Sequence, residues 1–272
     1  MEYAFSKDGT PIAYALSGSG TPLILVHGAG ADHTRWVPVL PWLEQFFTVV
    51  AVDRRGRGQS GDSDSYSIER EFEDLAAVSE AIDRPLDLLG HSYGGLCALG
   101  AALQIPQLRR LVLYEPPVPT GSTNRQRPAA LAQLQDLIDR GDREAAVMVF
   151  AREVAGASDA EIELMRASPS WTGRLAAIHT VPRELQATSG GYVVDEQRLK
   201  TLTAPTLLVQ GSDSAPDLHE GIKALQAILP DVRVAILPGQ RHLAMNTAPE
   251  LFANEVIRFL MAEAHYNFQT AK

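Results

Sequence analysis

Cysteine is nearly absent from this chain. Among 272 residues there is one, Cys97, which excludes an internal disulfide and any multi-cysteine zinc site. Long apolar runs are missing too. Apolar residues make up 45% of the chain, yet no run reaches the length of about 20 residues that crosses a bilayer. The opening stretch, MEYAFSKDGT, has no basic segment followed by an apolar one, so no secretory signal is visible. Basic residues are in deficit, 24 against 33 acidic, for a net charge of −9. The densest basic stretch, Arg54, Arg55 and Arg57, is too short for the stripe that nucleic-acid binders carry, and Arg109 with Arg110 forms only a pair. Repeats and low-complexity tracts are also lacking. The expectation is a soluble, cytoplasmic protein that binds neither nucleic acid nor membrane. Its length suffices for one large core, or a core with an insertion.

Short apolar runs alternate with helical patterns. Strands are expected at 12–16, 23–26, 48–52, 86–89, 111–114, 206–210 and 232–237. Several are nearly continuous apolar runs, as in strands covered on both faces. Helices are expected at 68–82, 93–104, 218–229 and 249–264. This alternation predicts an α/β fold: a mostly parallel central sheet with helices on both faces. The alternation stops between about Pro119 and Leu202. There the pattern is helix after helix, at 128–140, 143–155, 159–167 and 171–186. Pro116, Pro117, Pro119 and Gly121 mark the start of that stretch, and Ser189, Gly190 and Gly191 mark its end. It predicts an all-helical cap over 118–191, inserted into a core built from 1–117 and 192–272.

The strongest chemical signal is LDLLGHSYGGLCALG, residues 86–100. It holds a G-x-S-x-G pattern, Gly90 to Gly94, with an apolar strand before it and a small-residue helix after it. That context presents the Ser92 hydroxyl on a tight turn above the sheet edge. The helix that follows points its first amides at the same place, which favours developing negative charge. The plain alternative is a glycine-rich turn in which Ser92 only caps the helix.

LILVHGAG, VDRRGRGQS, GHSYGG, LLVQGSD and LPGQRHLAMNTAPELF occur in that order. In their sequence and spacing they resemble the α/β-hydrolase family, over nearly the whole chain. The resemblance implies a serine nucleophile, a histidine base and a carboxylate that orients the histidine. Of the seven histidines, His242 matches the family's position, in the loop after the last predicted strand. His27 is expected to be structural and His91 to point away from Ser92. His33 is a candidate pocket residue near Trp36. His179 is expected in the cap, and His219 and His265 on solvated helices. The family's oxyanion donors correspond to the backbone amides of Ala29 and Tyr93. The VDRRGRGQS stretch is expected to shape a loop near the site and to carry no chemistry.

The acid has two candidate positions. Asp213, in Gln210-Gly211-Ser212-Asp213-Ser214, stands near the family's usual slot but one residue early. It could equally cap the following helix. Glu115 ends the apolar stretch LVLY, directly before Pro116 and Pro117, in a slot that some family members use. It could equally pair with an arginine of the Arg54-Arg55-Arg57 loop. A charge at the end of a core strand is harder to explain without a function than a polar loop aspartate. Glu115 is therefore preferred, with Asp213 the alternative. Trp36, Met165, Trp171, Ile178 and Leu243 are candidate substrate contacts, and each would also serve as ordinary core. Cys97 is expected to be a small buried residue. The resemblance implies a cofactor-free, metal-free serine hydrolase whose partner is a small carboxylic ester or lactone. Hydrolysis of a carbon–carbon bond in a diketone fits the same residues, and a ligand receptor that retains the fold is a further reading.

Overall fold

Each of the seven apolar runs folds as a strand, and one strand that the sequence pattern does not reveal precedes them. The computed structural model describes residues 1–119, 128–189 and 192–262. Its strands are β1 (Glu2–Phe5), β2 (Pro11–Gly18), β3 (Thr21–Val26), β4 (Phe47–Val52), β5 (Leu86–His91), β6 (Leu108–Tyr114), β7 (Thr206–Gly211) and β8 (Val232–Leu237). They form one sheet in the order β1-β2-β4-β3-β5-β6-β7-β8. β2 is antiparallel to both of its neighbours, and every other pairing is parallel. β1 escapes the sequence reading because only Ala4 in it is buried, so an edge strand of four residues shows no apolar alternation.

The strand period of two divides the core. Ile24, Val26 and Leu88 face one side of the sheet, with Phe72, Leu75 and Leu96. Leu23, Leu25 and Leu89 face the other, with Trp36, Phe252 and Val256. Each fully buried side chain of this kind contributes about 1.5–3 kcal/mol relative to exposure. The covering helices are α1 (Leu40–Leu43), α2 (Ile68–Ile82), α3 (Tyr93–Ala102), α10 (Pro216–Ile228), α11 (Ala244–Thr247) and α12 (Pro249–Met261). Strand order reverses between β3 and β5, which lie side by side although β4 intervenes in the chain. In open α/β sheets such a reversal leaves a crevice at the carboxyl edge, where ligands bind.

Between β6 and β7 the regular elements among the described residues are helices: α4 (Pro128–Asp139), α5 (Arg143–Val149), α6 (Asp159–Ala167), α7 (Trp171–Ala177), α8 (Val181–Ser189) and the short α9 (Glu196–Leu199). Two of the helices expected from sequence are broken. The one over 143–155 changes to a π-helical turn at Phe150–Val154. The one over 171–186 is interrupted by a 3₁₀ turn at Ile178–Thr180, directly before Pro182. Proline has no amide to donate and is tolerated only in a helix's first turn, so the chain restarts there. Gly121, Gly190, Gly191 and His265 lie outside the described residues. No described helix is long and apolar enough to cross a membrane. No group of histidine, cysteine and acidic side chains among the described residues could hold a metal ion.

Candidate active site

The turn from β5 into α3 carries Ser92 in a conformation that side chains avoid, with φ 54° and ψ −127°. Two close approaches allow it. A Cβ at Gly90 would lie 2.4 Å from the Gly94 carbonyl oxygen, and one at Gly94 would lie 2.3 Å from the His27 carbonyl oxygen. The Ser92 amide donates to the Tyr114 carbonyl at 2.9 Å, which ties the turn to the neighbouring strand.

Glu115 also has a positive φ, 46°, one step beyond β6. Its amide still donates to Val209 at 3.1 Å, so the chain is held to β7 while the side chain turns over the sheet edge. The carboxylate is wholly buried and has two partners. One oxygen accepts from the Gly211 amide at 2.7 Å, and the other meets His242 Nδ1 at 2.6 Å. Burial presses the carboxyl pKa up, but the hydrogen bond and charge of His242, with the Ser214 hydroxyl and the Gly211 amide, outweigh it and hold the group below the ordinary glutamate value. The His242 loop is itself fixed from β6. The Tyr114 hydroxyl donates to the Arg241 carbonyl and accepts from the Ala244 amide at 3.1 Å.

Asp213 stands apart from this arrangement and is not the partner of His242. It is exposed and accepts from the neighbouring Ser212 hydroxyl at 2.7 Å. Its amide donates to the Gln240 carbonyl at 2.9 Å, so the loop presents backbone, not this carboxylate, to the site. Nor does it cap α10, whose N-cap position is Ala215.

Ser92 and His242 share a cavity of about 540 Å³, mouth included, with Gly28, Ala29 and Gly30. It opens at the carboxyl edge, where β3 and β5 diverge. Tyr93 follows Ser92 directly in the chain, and Ala29 lines the same cavity as Ser92. The alpha/beta hydrolase family model matches residues 23–255. The chain belongs to that family. Its relatives within the family include the 2-hydroxy-6-oxo-6-(2'-aminophenyl)hexa-2,4-dienoic acid hydrolase of Metapseudomonas resinovorans, 26% identical over 97% of this chain and 92% of that protein. The N-formylmaleamate deformylase of Pseudomonas putida KT2440 is 31% identical over 83% of each chain. Among solved structures, an esterase from Rhodococcus sp. ECU1013 superposes with a TM-score of 0.79 at 25% identity, covering 97% of this chain and 99% of that one.

The hydrolase cavity takes three of the five expected contact residues. Met165, Ile178 and Leu243 line it. Trp36 does not, because it is fully buried on the far face of the sheet with Leu23, Leu25 and Leu43. Trp171 does not line it either. It packs within the helical segment, beside Ile178 and Val147, with the Arg166 guanidinium 5.8 Å from its ring. His33 faces Asp53 at 2.8 Å rather than the cavity. His27 is buried and meets the Gly28 carbonyl at 2.8 Å. The Arg54 loop, far from pairing with Glu115, pairs with Glu71 and Glu184.

His91 lies beside the His242 loop. It lines the cavity, and its Nε2 donates to the His242 carbonyl at 3.0 Å, with the two rings 4.6 Å apart. Burial, with the His242, Arg35 and Arg174 charges, lowers its pKa well below the usual value, so it is a neutral spacer. Arg35 and Arg174 also line the cavity and were not singled out from sequence. Neither belongs to a motif, and no local pattern marks a residue whose partner is a cavity.

Proposed function

We propose that this protein is a cofactor-free serine hydrolase cleaving a carboxylic ester or lactone. The observation that carries the reading is the 2.6 Å contact of His242 Nδ1 with the buried Glu115 carboxylate, in a loop that shares its cavity with Ser92. A carboxylate on Nδ1 fixes the imidazole tautomer, leaves Nε2 free to act as base, and stabilises the ring once charged. In this reaction Ser92 Oγ attacks the substrate carbonyl and passes its proton to His242. The Ala29 and Tyr93 amides take the oxyanion. As the tetrahedral intermediate collapses, His242 protonates the departing alkoxide. Water, deprotonated by His242, then releases the acid from Ser92. The described helices between β6 and β7 act as a cap that shapes the pocket, and Met165, Ile178 and Leu243 contact the substrate. The esterase neighbour supports the ester reading.

A second reading is favoured by the dienoic acid hydrolase relative, which matches 97% of this chain: hydrolysis of a carbon–carbon bond next to a ketone by the same residues. A panel of p-nitrophenyl esters, lactones and diketones separates the two by kcat/KM. For either, Ser92→Ala is expected to cost at least about 10³-fold in kcat and to abolish labelling by a fluorophosphonate. Glu115→Gln, which keeps the shape but not the charge, is expected to cost about 10²–10⁴-fold. Wild-type turnover in a folded Ser92→Ala protein would end the proposal.

A further inference from the structure

Two arginines line the cavity without a counter-ion. Arg35, on the turn after the Ala29 loop, is 1% exposed. Its Nη1 donates to the Asn246 side chain, and its Nη2 has no partner. Arg174, on α7 of the helical segment, is 6% exposed, and its Nε has no partner. Among the described residues neither guanidinium forms an ion pair. A buried guanidinium left in this state costs several kcal/mol, and two facing one cavity also repel. Burial and the neighbouring Arg174 charge lower Arg35's pKa, and burial brings Arg174 down to about 10 against the pull of Asp32.

The nearby carboxylates are bonded elsewhere, Asp32 through one oxygen only, so that its charge still acts on Arg174. Asp32 accepts from the Thr34 amide at 3.0 Å and from the Thr34 hydroxyl. Glu115 is held by the Gly211 amide and His242. The remaining cavity wall is apolar, with Val147, Phe150, Met165 and Ile178. Two guanidiniums with Asp32 beside one of them leave an excess of about one positive charge. That suits a single carboxylate, whose two oxygens match the guanidinium fork.

We propose that Arg35 and Arg174 form a carboxylate-binding site inside the cavity, so that the substrate is a monoanion with an apolar chain between its carboxylate and the bond that Ser92 attacks. The site joins core to helical segment, one arginine from each. Bound substrate would therefore hold the two parts together and fix the reacting carbonyl relative to Ser92. The proposal rests on the hydrolase reading only in taking this cavity as the substrate site.

The test uses two p-nitrophenyl esters that differ only at the far end: the mono-ester of glutarate, ending in a carboxylate, and the ester of pentanoate, ending in a methyl. The wild type is expected to favour the glutarate ester by at least about tenfold in kcat/KM. Arg35→Gln and Arg174→Gln should each shrink that ratio about tenfold, mainly through KM, and Arg174→Lys should restore part of it. A wild type that favours the pentanoate ester, or a ratio unmoved by the glutamine variants, overturns the site. Calorimetric titration of glutarate into Ser92→Ala keeps the two readings apart. If neither ester turns over, the hydrolase reading falls, and the titration still decides the arginines. Binding lost in the Ser92→Ala/Arg174→Gln double variant supports the site, while no binding to Ser92→Ala, or tighter binding of inorganic phosphate, overturns it.

Discussion

Two groups of buried arginines lie near the same sheet edge, and they differ in what neutralises them. Arg54 donates to Glu71 at 2.6 and 3.0 Å and to Glu184 at 2.5 Å. Arg55 donates to Asp74 at 2.6 and 2.7 Å, and Arg57 lies within ion-pair distance of Glu71 and Glu184. Among the described residues neither Arg35 nor Arg174 has a carboxylate within ion-pair distance, and the charge of Asp32 reaches Arg174 alone. In the first group the fold itself supplies every counter-ion, and one of them, Glu184 on α8, ties the helical segment to the core. In the second the described residues supply no ion-pair partner. Buried charge satisfied by the protein is structure. Buried charge left open toward a cavity is a place for a ligand.

The comparison can be broken, most sharply by Arg54→Met. Removing Arg54 leaves Glu71 and Glu184 buried with less counter-charge, and the expected loss is about 3–5 kcal/mol in urea unfolding. A loss below about 1 kcal/mol would mean that the paired group is not structural.

Titration gives a second test, of intermediate size. Glu71 is pushed up by burial, but Arg54 and Arg57 outweigh this and hold its pKa below the ordinary value, as His242 does for Glu115. Such groups contribute stability that is present above the unfolded pKa, about 4.3, and lost as pH falls through the folded one. Burial takes Asp74 and Asp87 the other way, to about 6. Their effect is to add stability as pH falls from about 6 toward the unfolded value near 3.9. Buried neutral His27 and His91, both held well below the usual histidine value, oppose that gain, because the unfolded chain takes up their protons as pH falls through about 6.5. Unfolding free energy should therefore drop most steeply below about pH 4, where the loss from Glu71 and Glu115 joins that of the histidines. Full stability retained at about pH 3 would contradict these shifts.

Arg35→Met is expected to leave stability unchanged or raise it, by up to about 4 kcal/mol, because it removes a buried charge that the fold does not neutralise. A loss matching that of Arg54→Met would erase the distinction between the two groups. Smallest of all should be Asp213→Asn. An exposed aspartate bonded only to Ser212 should alter stability by about 0.5 kcal/mol at most and leave kcat within about twofold. A larger kinetic effect would return Asp213 to consideration as the partner of His242.

What a reader of the sequence could extract followed from how far apart the interacting residues lie. The alternation of short apolar runs with helical periods gave the sheet and its helices, because both patterns repeat every few residues. The Gly90–Gly94 elbow was legible for the same reason: strand, tight turn and helix are consecutive. His242 was found by its place after the last strand. β1 was lost because one buried residue in four makes no pattern, and the break at Ile178–Thr180 because a turn that short has no period of its own.

The acid was different. Glu115 and Asp213 each follow a core strand, and β6 and β7 are neighbours, so either could reach the His242 loop. Local sequence shows Glu115 only as an odd charge before two prolines. Its role depends on a backbone turn to positive φ and on the Gly211 amide, 96 residues away, that receives its second oxygen. His91 shows the same limit, since its place at the cavity depends on a carbonyl 151 residues further on. Sequence by itself determined the fold class and the strand, turn and helix around Ser92, which rest on local periodicity and chain order, and the family resemblance pointed to His242. Tertiary structure alone decided which carboxylate meets the histidine and which arginines go unpaired. Electrostatic partnership is set by distance and burial in space, and neither is written in any short stretch of the chain.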